Sequence, residues 1–98
     1  MILVRSVFQL KFGKAREARE AWEQVKPIMS KVGSGATRTM TDFTGPFYTF
    51  VLETSHANFA AFEKHLQEVT GNAEWKQWYA KFTPLVESGR REIFTILE

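Results

Sequence analysis

Two histidines, His56 and His65, are the side chains that titrate near neutrality in a chain that has no cysteine. Placed on one helix, residues nine apart are separated by about 900°, half a turn beyond two whole ones, so the pair would face opposite ways and share no metal ion. His65 borders an apolar stripe formed by Phe62 and Leu66, where one imidazole could serve as a general base or as a single haem ligand. A boundary histidine is the plainer reading, because nothing else at fixed spacing supports a ligand. Asp42 and Glu53 are the carboxylates best placed for acid–base work, and neither has a histidine or nucleophile at a telling separation. The catalytic candidates are therefore His65 and Glu53. A second set suggests binding. Arg5, Gln9, Thr49 and Glu53, with Arg91 and Thr95 as further members, set a few polar groups among Val7, Phe47 and Val51, the usual make-up of a small-molecule pocket. Arg5 would hold an anionic or carbonyl group. The same residues could instead satisfy one another, Arg5 pairing with Glu53.

The elements that must position these groups follow from periodicity. ILVRSVFQLKF at 2–12 alternates as a strand, with Ile2, Val4, Phe8, Leu10 and Phe12 on one face and Leu3, Arg5, Val7 and Gln9 on the other. After Gly13 the period changes. Ala18, Ala21, Trp22, Val25, Ile28, Met29 and Val32 form a helical stripe, with Lys31 and Gly33 as terminating signals and a kink expected near Pro27. ATRTMTDF at 36–43 reads as a half-exposed strand, Thr44-Gly45-Pro46 as a turn, and FYTFVLET at 47–54 as the returning strand of a hairpin. Whether Arg38, Met40 and Asp42 or the intervening threonines face the proposed pocket stays open. Ser55 is the expected cap of a helix carrying Phe59, Phe62, Leu66 and Val69, closed by Thr70-Gly71-Asn72. A short helix with Trp75, Trp78, Tyr79 and Phe82 inward follows, ended by Pro84; its spacing suits core packing as well as a ligand pocket. After a break at Ser88-Gly89, RREIFTILE is the last strand.

The order β-α-β-β-α-β predicts an α+β, ferredoxin-like subunit: a four-stranded antiparallel sheet with helices on one face. Tyr48, Phe50, Leu52, Phe94 and Ile96 join the helix side, while Phe47, Thr49, Val51, Glu53, Ile93, Thr95 and Leu97 join the open side. A large apolar side chain contributes roughly 1.5 to 3 kcal/mol when fully buried, so five or six left wet would forfeit about 10 kcal/mol. A second copy of the chain is the simplest cover, which predicts a homodimer through the open sheet face.

Composition limits the alternatives. A chain of 98 residues closes one hydrophobic core, so residues 1–98 are read as one domain. The net charge of +2 arises from 13 basic and 11 acidic residues without a block of either sign, which argues against a nucleic-acid or membrane-surface partner. Nine Phe, three Trp and two Tyr are many for this length and favour an aromatic core or interface. The absence of cysteine excludes disulfides and thiolate metal sites and suits the cytoplasm. MILVRSVFQL meets Arg5 too early for a signal peptide or membrane span. Glycines form no phosphate loop. No metal and no cofactor is expected.

The Val4-Arg5 step followed by LKFGK at 10–14, the aromatic strand after Gly45-Pro46, and Glu74-Trp75 opening a helix that leads to Tyr79 and a final strand carry a resemblance. Over nearly its whole length the chain resembles the dimeric α+β barrel superfamily, and within it NIPSNAP-like domains most. That resemblance implies paired subunits with a cavity between the sheets or between sheet and helices. The superfamily includes cofactor-independent monooxygenases and haem-degrading enzymes, so fold alone leaves the reaction open. Haem-degrading relatives use an Asn on the first strand, which is absent here. Three readings follow: a NIPSNAP-like homodimer binding a small apolar or aromatic ligand, a cofactor-independent monooxygenase of the antibiotic-biosynthesis type, or an assembly module without ligand.

Overall fold

The computed structural model describes residues 1–31 and 36–97. The strands are β1 (Ile2–Leu10), β2 (Ala36–Thr41), β3 (Thr49–His56) and β4 (Val86–Thr95); the helices are α1 (Ala15–Lys31), α2 (Phe59–Thr70) and α3 (Ala73–Phe82). They form a four-stranded sheet in the order β2-β3-β1-β4, antiparallel throughout, which is the α+β ferredoxin-like fold. Every helix packs on the same face. The core draws Ala18, Trp22, Val25 and Met29 from α1, Val69 from α2 and Phe82 from α3 onto Leu10 and Phe50 of the sheet.

The α1 stripe is buried or half-buried from Ala18 to Met29, as its period predicts, and the helix runs through Pro27. Val32 and Gly33 lie outside the described residues. β3 begins two residues later than expected. Tyr48 adopts a left-handed backbone with φ of 62°, which a strand does not accommodate, so Phe47 falls outside the ladder and is exposed. At its other end β3 runs on through His56, and the α2 cap is Asn58, whose side chain accepts from Ala61 N at 2.8 Å, rather than Ser55.

β4 differs most from expectation. Ser88-Gly89 is no break: the strand starts at Val86, directly after a 3-10 turn at Thr83–Leu85, and its pairing with β1 slips between Gln9 and Leu10. Beyond the slip Gly89 sits opposite Phe8, Arg91 opposite Ser6, Ile93 opposite Val4 and Phe94 opposite Leu3. Ile93, Thr95 and Arg91 therefore belong to the helix side, and Phe94 to the open side, inverting the assignment made from the tail alone. A slip of one residue moves every side chain of a strand to the other face. Gly89 has a packing reason as well, since a Cβ there would lie 3.3 Å from the Phe8 ring.

Candidate functional site

Four of the residues expected to bind ligand do share the open face. Arg5 is opposite Glu53, and Gln9 is opposite Thr49, across the β1–β3 ladder. Strand β2 supplies a third charge, because Arg38 is also opposite Glu53 and Met40 opposite Val51; it is Arg38 and Met40, not the threonines, that join this face. The Glu53 carboxylate is fully buried between two guanidiniums. It accepts from Arg5 Nε at 2.8 Å through Oε2, and from Arg38 Nε at 2.9 Å and Nη2 at 2.6 Å through Oε1. Hydrogen bonds from Arg5 first and Arg38 second outweigh the cost of burial and hold the carboxyl below the usual glutamate range. Arg5 also lies over the Phe94 ring at 5.1 Å and stands 4.0 Å from Glu92. Gln9 Nε2 donates to the carbonyls of Phe47 and Tyr48, while Thr49 Oγ1 donates to Pro46 O at 2.8 Å. The polar groups of this face thus serve one another and the 46–48 turn. Arg91 and Thr95 do not join them.

The hollow of the molecule is on the other side of the sheet. A cavity of about 590 Å³ lies between the helical layer and the strands, within the range of small-molecule sites. Its floor is Val4, Ser6 and Phe8 of β1, Phe50, Leu52 and Thr54 of β3, and Arg91 of β4; its roof comes from α1, α2 and α3. The period-3.6 stripes of the helices and the even phase of the strands converge here, which makes the lining mainly apolar. All three tryptophans, Trp22, Trp75 and Trp78, contribute to the wall. Trp75 stacks on Tyr79 at 4.6 Å and Trp78 on Phe82 at 4.9 Å, so each ring is braced by a neighbour. Trp78 Nε1 donates to Ala21 O at 2.6 Å. Trp22, only 7% exposed, has no partner for its buried Nε1 among the described residues. The four inward aromatics of α3 therefore form both core and cavity wall, although Tyr79 is also partly open to solvent.

The histidines are brought together, contrary to the single-helix reading. His56 ends β3 while His65 is on α2, and their ring centroids are 5.3 Å apart. His56 Nε2 is 3.0 Å from Thr54 Oγ1. Burial pushes His56 below the ordinary imidazole range and the neighbouring His65 adds to the effect. His65 is lowered as well, by burial against an opposing pull from Glu68. Among the described residues no cluster of three or more His, Cys, Asp or Glu could hold a metal ion. Of the two proposed bases, only His65 lines the cavity; Glu53 is on the far side of the sheet. Reasoning from sequence missed Trp22, Thr54 and the proximity of the histidines. Strand phase could have shown Thr54, which shares its phase with Phe50 and Leu52, but an unpartnered indole nitrogen has no sequence signature.

Comparison with known proteins gives a consistent picture. Residues 4–98 match the NIPSNAP family model. A NIPSNAP domain protein from Burkholderia xenovorans superimposes with a TM-score of 0.91 at 10% identity, covering 99% of this chain and 95% of that one. A NIPSNAP family protein of unknown function from Agrobacterium tumefaciens gives 0.87 at 16% identity, covering 96% and 86%. A candidate antibiotic biosynthesis monooxygenase from Nitrosomonas europaea gives 0.75 at 16% identity, with complete coverage of both chains. No curated protein matches the chain. Among the described residues no helix is long and apolar enough to cross a membrane.

Proposed function

Since the chain belongs to the NIPSNAP family, we propose that it is a homodimeric, cytoplasmic small-molecule-binding protein, one domain over residues 1–98, whose ligand occupies the cavity between sheet and helices. The cavity itself carries this reading. It is large, mainly apolar and walled by braced aromatic rings, with Ser6, Thr54, His65, Gln67, Thr70 and Arg91 as its polar points.

Arg5, Gln9, Thr49 and Glu53 then have another role. We assign them to the contact between subunits, where they fix register amid Leu3, Val7, Met40, Val51 and Phe94 of the open face. The oxygenase alternative has only His65 in its favour, as an uncharged base on the cavity wall, because fold likeness at such low identity carries no chemistry. The assembly-module alternative leaves a cavity of about 590 Å³ without a purpose.

The test is titration with N-phenyl-1-naphthylamine, an uncharged aromatic probe, read by energy transfer from the three wall tryptophans. Saturable binding at micromolar concentration is expected, weakened at least about tenfold in Leu66→Trp, which fills part of the cavity. Circular dichroism would establish that the variant is folded. Equal affinity in a folded Leu66→Trp protein would place the probe elsewhere and remove the cavity as the site.

A further inference from the structure

The cavity has an electrostatic sign, set by where the sheet puts its arginines. Arg5, Arg38 and Arg90 all lie on the open face, and each has a carboxylate within 4.0 Å: Glu53 for the first two and Glu92 for Arg90. Arg91 is one residue further along β4 and therefore on the opposite face, beside Ser6. There its guanidinium rests over the Phe62 ring at 5.4 Å, and it forms no ion pair among the described residues. Among the described residues no Asp or Glu lines the cavity. The wall thus combines one permanent cation, without a carboxylate partner, with a run of flat aromatic surfaces.

Resting on the cavity reading above, we infer that the ligand is an organic acid: a flat aromatic or polycyclic body carrying one carboxylate or comparable anionic head. The head meets Arg91 and the body lies among Trp75, Trp78 and Phe82. A guanidinium offers paired N–H donors to such a head, and its seat on Phe62 limits the side-chain freedom lost on binding. A cationic ligand would find no counter-charge on this wall. A neutral ligand would bind through its rings but gain nothing from Arg91.

The experiment compares 8-anilinonaphthalene-1-sulfonate with N-phenyl-1-naphthylamine, probes that share one ring system and differ by the anionic group. With the full chain, the sulfonate should bind about fivefold more tightly at low salt, and the margin should shrink as salt is added. Arg91→Met should abolish that margin while leaving N-phenyl-1-naphthylamine within about twofold of the wild type. Arg90→Met, one residue away on the opposite face, should leave both affinities unchanged and so reports on net charge alone. Arg91→Gln takes the place of Arg91→Met if the latter is misfolded by circular dichroism. Equal binding of both probes by the wild type, or equal loss of the margin in Arg90→Met, would overturn the inference while the cavity reading stands. Failure of both probes to bind would remove the cavity reading and the inference together.

Discussion

Buried His56, with the half-buried His65 beside it, makes a residue-scale demand on pH. Folded, His56 is held neutral by burial and by the second imidazole, with Glu68 acting on His65 alone; unfolded, it takes a proton near the free value of about 6.5. Its folded pKa is therefore the lower one. Acid then favours the unfolded chain: the stability is complete above the free pKa and is lost as pH falls from there toward the folded pKa. Melting temperatures measured at intervals from pH 7 to pH 5 should fall, and His56→Gln should flatten that fall. An identical slope in the variant would show that His56 is not the group responsible. At this scale the Arg5–Glu53 pair was legible, because residues on like phases of paired strands face one another. Arg38 was not, since β2 alternates threonine with residues of mixed polarity and either phase suits a half-exposed strand.

Elements were legible where a period was long and punctuated. α1 repeats its apolar stripe over several turns, and its course follows directly. Boundaries were less so, because two capping residues competed at the start of α2. Ser55 is a good cap in isolation, yet pairing of Ser55 with Leu3 and of His56 with Ile2 extends β3 and leaves the task to Asn58. The α3 cap is similar: Asn72 accepts from Trp75 N at 2.9 Å, and it anchors the helix that brings Trp75 and Trp78 to the cavity. Asn72→Ala should cost about 1 kcal/mol in urea denaturation, whereas Ser55→Ala should fall within about 0.5 kcal/mol of wild type. Comparable losses at both positions would contradict this assignment of caps. β4 shows why its phase was unreadable. Ile93 and Phe94 are adjacent, bulky and almost equally exposed at 41% and 42%, so either phase of this edge strand offers one large apolar group to each face.

For the whole molecule, the open face is the unresolved demand: the half-buried Leu3, Met40 and Val51 and the exposed Phe94 surround a charge cluster already satisfied within the subunit, while Val7 among them is buried. A twofold contact buries the same patch on both copies, so a single substitution there acts twice. Sedimentation equilibrium should give twice the 11.3 kDa chain mass, and Val51→Asp should shift the population to single chains at micromolar concentration, a weakening of at least about 3 kcal/mol. Single chains for the unaltered protein would end the dimer proposal. Taken by itself, the amino-acid order determined the succession of elements, the ferredoxin-like class and the identity of the apolar stripes, because side-chain periodicity is a local consequence of backbone geometry. Tertiary structure alone decided the phase of β4, the meeting of His56 with His65, and the side of the sheet on which the cavity opens. Each depends on register between segments far apart in the chain, and a local period carries no information about register.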